Sequence, residues 1–176
     1  MSKAFTKDPP SDEPVIVPAR APLPAGVPNY VTDRGLELLE DERRQLLDER
    51  ARLAAADEGD DSVETGQRLR ILNQRLRDLT ERIATARRVS PPPQPDNTVR
   101  FGATVTLKTV RGELKGDLRR IKLVGVDEAG ESASLVSFTA PVARAILGHQ
   151  PGDRVTRPAE SGEEVLEIVA VSYEKP

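Results

Sequence analysis

The sequence predicts an α+β chain in which an antiparallel α-helical coiled-coil hairpin precedes a small, antiparallel β-rich domain. Three observations predict it: a proline-free stretch with leucines at heptad spacing, a later stretch of short β-branched runs, and a proline cluster between them. Aromatic residues make up 3 % of the 176 residues and Trp is absent, while aliphatic residues gather late in the chain. One core spanning the whole length is therefore not expected; a thin part and a compact part are.

Residues 1–29 hold Pro9, Pro10, Pro14, Pro18, Pro22, Pro24 and Pro28 and no periodic apolar face, which predicts a disordered, solvated tail; a short peptide ligand is the alternative. The hairpin is expected over 30–90. Thr32 is suited to cap the first helix and Asp33 to its first turn. Leu36, Leu39, Leu46 and Leu53 form one seam, interrupted by Arg43 and Arg50. Leu69, Leu72, Leu76, Leu79, Ile83 and Ala86 form the second, at alternating spacings of 3 and 4. Between them Gly59 breaks the helix, and Asp60, Asp61 or Ser62 can cap the next, so the arms must run antiparallel. At 1.5 Å per residue each arm projects about 35 to 40 Å.

Pro91, Pro92, Pro93 and Pro95 make a stiff linker over 91–98. From 99 to 176 the runs Ala103 to Lys108, Glu113 to Val124, Ser134 to Phe138 and Glu164 to Tyr173 read as strands. Turns are expected at Arg111-Gly112, Asp127 to Gly130 and Ser161-Gly162. Pro141 to Leu147 reads as a short helix that begins on Pro and ends at Gly148.

Composition also excludes functions. With no Cys there is no disulfide framework, thiol nucleophile or thiolate metal ligand. No apolar run approaches the roughly 20 residues that span a bilayer, and the N-terminus lacks the apolar centre of a signal peptide, so a cytoplasmic chain that avoids membranes is expected. A net charge of −3 gives no overall drive toward a polyanion. The lone His149 has no nucleophile partner in sequence and reads as an exposed turn residue. Lys108, Arg111, Lys115, Arg119, Arg120 and Lys122 read as a solvated sheet face, with a contact to RNA or protein as the alternative. Phe101, Phe138 and Tyr173 read as core rather than as a base-stacking platform.

The chemistry concentrates at the hairpin turn, where Asp57, Glu58, Asp60, Asp61 and Glu64 crowd the end of a rod. Carboxylates are hard ligands suited to Mg²⁺, which often takes one or two of them beside substrate phosphates; the bland alternative is that they cap and solubilise a turn. The spacing does not fit an EF-hand.

The C-terminal half resembles the Gre family of bacterial transcript-cleavage factors. The stretches that carry the resemblance are Leu123 to Glu128, Leu135 to Ser137, Ala140 to Gly148, Pro151 to Val155 and Leu166 to Tyr173; Tyr30-Val31-Thr32 and Gly35 look like the family's first helix start. The resemblance implies an FKBP-like C-terminal domain that docks on bacterial RNA polymerase through Ser137, Thr139, Ala140, Pro141 and Arg144. It also implies a coiled coil entering the secondary channel, with Asp61 and Glu64 as the catalytic, metal-holding carboxylates. Mg²⁺ would be shared with the polymerase active site rather than held stably by this chain alone. The partners implied are polymerase, nascent RNA and DNA of the elongation complex, engaged by a monomer that stimulates polymerase's own nuclease and is not itself an enzyme. The sequence departs from the family where Thr65 replaces an Asn, Arg68 stands at an aromatic position, Ala140 replaces a Ser, and each arm is nearly one heptad short. Those departures suit a second expectation, a channel regulator that does not stimulate cleavage. A peptidyl-prolyl isomerase, suggested only by the implied fold, ranks third.

Overall fold

The structure, a computed structural model, describes Arg20 and residues 22–57, 63–90, 97–159 and 162–173, with the side chains of residues 56 and 57 left out. Two helices form the hairpin, α1 (Asp33–Asp57) and α2 (Val63–Ala84). Thr32 caps α1 as its position predicts: its Oγ1 accepts the Gly35 N–H at 2.8 Å. The two seams meet in one cluster in which Leu39, Leu46, Leu72, Leu76 and Leu79 are buried, with Leu36, Leu53 and Ile83 packed against them. Leu69 is only half-buried, and Ala86 lies beyond the end of α2 yet still packs on the cluster. Arg43 and Arg50 stand outside the seam, so Leu46 and Leu53 carry that side of it.

The base of the hairpin holds an element that periodicity does not reveal. β1 (Tyr30–Val31) and β2 (Arg87–Arg88) pair in parallel, tying the entry of α1 to the exit of α2. The pairing continues on both sides, with Arg87 N–H donating to the Asn29 carbonyl at 2.7 Å and Val89 N–H to the Val31 carbonyl at 3.0 Å. The expected tail over 1–29 is corrected at its C-terminal end, because Arg20 and residues 22–29 are placed against this base. Asn29 is buried, and its Nδ2 donates to the Arg82 carbonyl at 2.8 Å and to Thr85 Oγ1 at 3.2 Å. Proline prevents a helix or central strand here, but it does not prevent side chains from tying an irregular segment down. Residues 1–19 lie outside the described set.

The sheet domain comprises β3 (Thr104–Arg111), β4 (Leu118–Val124), β5 (Leu135–Ser137), α3 (Pro141–Ile146), β6 (Arg154–Ala159) and β7 (Gly162–Ser172). The strand order is β5-β4-β3-β7-β6. All pairs are antiparallel except β4 with β5, a parallel pair that departs from the fully antiparallel sheet expected. Strand β6 was not expected either. Its Pro158 argues against a strand, yet β6 lies at the sheet edge, where a missing N–H is tolerated. The strand expected from Glu113 starts only at Leu118. One sheet face buries Val105, Leu107, Ile121, Leu123, Leu166 and Ile168, and Ala143 and Ile146 of α3 close over them. The basic run divides across the sheet: Arg119 turns toward the buried Glu164, whose Oε2 also accepts from Arg157 Nε at 2.6 Å.

The hairpin and the sheet meet at the turn after β4. Gly125 lies so close to the hairpin base that a Cβ there would come within 2.7 Å of the Tyr30 carbonyl oxygen. Beside it the rings of Tyr30, Phe101 and Phe138 pack on one another at centroid distances of 5.4 to 5.8 Å. After Val126, the side chains of Asp127 and Glu128 point back at the hairpin. Glu128 is fully buried and accepts the Thr32 hydroxyl at 2.5 Å, which sets a carboxylate at the N-terminus of α1, where the helix dipole favours it. A Cβ at position 35 would reach within 3.0 Å of the same carboxylate, which accounts for Gly35. Asp127 accepts from Arg20 at 2.7 Å and faces Arg82 at 3.5 Å, and Arg20 also reaches Glu42 of α1 at 2.5 Å. Burial, the largest influence on Arg20, lowers its pKa, but the bonds to Asp127 and Glu42 outweigh it and hold the pKa above the ordinary value.

Two expectations test this joint. Gly125→Ala should lower stability by about 1–3 kcal/mol, since backbone must move to admit the methyl. Gly66→Ala, where nothing lies within 4 Å of an added Cβ on α2, should raise it by about 0.5–1 kcal/mol. Asp127→Ala removes a carboxylate set between two guanidiniums and should cost about 3–5 kcal/mol. Arg20→Ala, which leaves Asp127 facing Arg82, should cost about 1 kcal/mol or less. Urea unfolding of the four variants checks both sets.

Candidate functional site

Of the two carboxylates expected to act at the tip, Asp61 lies outside the described residues, as do Glu58 and Asp60. Glu64 is described. It sits in the first turn of α2 with three-quarters of its side chain exposed, at the end of the hairpin away from the sheet domain. Its Oε1 lies 3.0 Å from Arg68, one turn along the same helix. Such an exposed pair contributes only about 0.3–0.5 kcal/mol, so a stronger ligand can displace Arg68. Glu64 fits Mg²⁺ as a hard oxygen donor. Among the described residues no group of three or more His, Asp or Glu side chains converges on one point.

The expected docking residues form a separate site on the sheet domain. Ser137 ends β5, and its hydroxyl shares a hydrogen bond of 2.7 Å with Thr139 Oγ1 and accepts the Thr139 N–H at 3.2 Å. Phe138 between them turns inward to the aromatic group, which leaves Ser137 and Thr139 half-buried at the surface. Ala140 is the N-cap of α3 in an extended conformation and offers no side-chain cap; Pro141 takes the first helical position and is exposed with Arg144. The parallel pairing of β5 on β4 fixes where this loop emerges. Tip and loop are thus not brought together: Glu64 stands the length of α2, about 30 Å, from the hairpin base.

Sequence reasoning missed the surface of the shaft between these sites. A groove of about 590 Å³ on one face is edged by Arg52, Arg68 and Arg75, and one of about 760 Å³ on the other by Arg43, Arg44, Arg50 and Arg77. The signal was present in Arg43 and Arg50, which read only as interruptions of a seam. His149 faces Asp153 at 3.3 Å in a partly exposed turn. Tyr30, Phe101 and Phe138 pack on one another. No helix among the described residues is long and apolar enough to cross a membrane.

A leucine-seamed hairpin clamped at its base to a five-stranded sheet domain, with a carboxylate near its free end, defines a two-part α+β protein whose two candidate sites lie far apart. Residues 94–173 match the family described as transcription elongation factor, GreA/GreB, C-term. A transcription elongation factor GreB from Neisseria meningitidis serogroup A is 36 % identical over 162 residues, covering 84 % of this chain and 95 % of that protein. A transcription elongation factor GreA from Acidiphilium cryptum is 33 % identical over 154 residues, covering 81 % and 96 %. Among solved structures, a GreA/GreB elongation factor from Nitrosomonas europaea is 22 % identical, covers 84 % of this chain and 99 % of that one, and has a TM-score of 0.40. This chain belongs to the GreA/GreB family of transcription elongation factors.

The uncapped start of α3 gives a direct test of how the loop from Ser137 to Arg144 is built. Ala140→Ser supplies an acceptor for the first-turn N–H groups and should raise stability by about 1 kcal/mol, read as an upward shift in Tm.

Proposed function

We propose that this chain docks on bacterial RNA polymerase through Ser137, Thr139, Ala140, Pro141 and Arg144, and that its hairpin enters the secondary channel to stimulate cleavage of backtracked RNA. The observation that carries this reading is Glu64: an exposed carboxylate in the first turn of α2, at the free end of a rod held together by a leucine seam. Asp61 stands three residues earlier in the sequence, outside the described residues. Together they would hold Mg²⁺ in common with the polymerase active site. When bound, the ion supplies Lewis-acid charge and orients an attacking water for in-line displacement. The chain's own part is to carry two carboxylates to that point and to keep them aimed by a stiff base. Nascent RNA, with DNA of the elongation complex beside it, is the substrate of the partner's nuclease; the chain itself is not an enzyme in this reading. It acts as a monomer in the cytoplasm.

A second reading, a channel regulator that does not stimulate cleavage, is favoured by the Glu64–Arg68 ion pair. The guanidinium occupies a carboxylate oxygen at a position where the family resemblance calls for an aromatic ring.

One assay on a halted elongation complex separates the two. The unaltered chain should accelerate RNA cleavage at ample Mg²⁺. Asp61→Ala combined with Glu64→Ala should lower that acceleration by about two orders of magnitude while binding is retained, the scale expected for losing positioned catalytic ligands. Arg144→Glu should weaken binding itself. Binding by the unaltered chain without any acceleration would establish the second reading.

A further inference from the structure

The two edges of the five-stranded sheet are finished differently. On one, β6 pairs with β7 along its whole length and carries Pro158, a residue that opposes further strand pairing. On the other, β5 covers only the end of β4, where Leu135, Val136 and Ser137 pair with Lys122, Leu123 and Val124. Residues 118–121 of β4 run on beyond β5 as an open edge. Leu123 N–H donates to the Ala103 carbonyl and Thr109 N–H to the Asp117 carbonyl, whereas Lys122 N–H donates the other way, to the Ser134 carbonyl. By alternation the N–H and carbonyl groups of Leu118 and Arg120 point away from β3, and among the described residues no backbone group pairs with them.

The side chains around this edge are of two kinds. Leu118 is 61 % exposed, and Leu114, in the turn that leads into β4, is 58 % exposed. Arg120 and Lys108 are exposed as well, on the sheet face turned away from the buried Ile121 and Leu123; Lys108 lies across from Leu118 and diagonal to Arg120. Arg119 falls on the other face, where Glu164 takes it up. Of the acids nearby, Asp117 alternates onto the side of Arg119, Glu113 belongs to the turn, and Glu167, across from Lys108 on β7, is bound by Arg154 at 2.7 Å. A second copy does not suit the edge, because two such strands set antiparallel bring arginine against arginine, and like charges oppose that pairing. RNA would use the cations and leave the leucines and the backbone groups unanswered.

We propose that the open edge of β4 takes up an extended acidic segment of a partner protein as an added strand. Backbone groups of the segment pair with Leu118 and Arg120, an acidic side chain meets Arg120, and an apolar side chain two residues away covers Leu118. Main-chain bonds give such a strand its affinity, and side chains at alternate positions give it specificity. The added strand continues the line of β5 along the same sheet edge. It requires nothing of the hairpin tip or of Mg²⁺.

The probe is the peptide acetyl-Thr-Val-Thr-Glu-Thr-Val-Thr-amide, whose pattern is the same in either direction and so serves parallel or antiparallel pairing. Added at millimolar concentration to the ¹⁵N-labelled full chain, it should slow hydrogen exchange of the Leu118 and Arg120 amides at least threefold and leave those of Arg119 and Ile121, which face β3, unchanged. The same peptide with Lys in place of Glu should not protect them. Arg120→Glu should reverse that preference, and Arg120→Pro, which removes an outward N–H and no bond to β3, should abolish protection by either peptide. The remaining sheet amides report that each variant is folded. Absence of protection by the acidic peptide, or equal protection by both peptides, would overturn the proposal. So would protection that grows with chain concentration in the absence of peptide, which would make a second copy the occupant. A response of Lys108 and Arg120 to a uridine decanucleotide, with none to the peptide, would likewise overturn it and make this face an RNA surface.

Discussion

The turn that follows β4 decides how the two halves of this molecule hold each other. Asp127 lies between Arg82, which emerges from α2, and Arg20, which comes from the segment before the hairpin. Glu128 next to it is buried against the cap of α1. Both helix ends and the leading segment therefore converge on two adjacent carboxylates of the sheet domain. Removing Asp127 would leave two guanidiniums facing each other in a poorly solvated place, so the joint tolerates its loss badly, and Gly125 must remain small for the surfaces to close at all. The sheet core on one side and the leucine seam on the other are each ordinary; their relative placement rests on this turn.

Much of this was legible in the sequence, and the residues show why. Leucine spacing named the seam, Thr32 and Pro141 marked helix starts, and the glycines near residues 112 and 130 marked turns, because each of these signals is local. What escaped was non-local. The two-residue pairing of Tyr30–Val31 with Arg87–Arg88 is too short to leave a period. Strand β6 contains a proline that only its edge position excuses. The parallel partner of β4 depends on a crossover that no run of residues announces. Arg20 stands in a proline-rich stretch whose composition says nothing about the two carboxylates that meet it. For the candidate site, Glu64 and the loop from Ser137 to Arg144 are candidates named from residue type and resemblance. The Arg68 contact was not legible, because Arg68 stood out only as a departure from the family's aromatic.

Charge on the hairpin is mixed along its length. The arginines that edge both grooves of the shaft stand among carboxylates such as Glu42, Glu49, Asp78 and Glu81, and Glu58, Asp60 and Asp61 follow in the sequence between the two helices. Contacts between such exposed charges act at short range, because salt screens them beyond roughly 8–10 Å. Glu64 and Arg68, at the start of α2, form one such contact.

The parallel tie between β1 and β2 has a mechanical meaning. Two helices of 25 and 22 residues, joined to each other at their roots and fixed to the sheet domain there, form a cantilever about 35 Å long. A tilt of about 5° at the fixed end would displace the free end by about 3 Å, roughly the length of one hydrogen bond. Aim at the far end is thus set by stiffness at the near end. Substitutions around Asn29, Gly125 and Asp127 would act as changes of pointing accuracy, felt by groups they never touch.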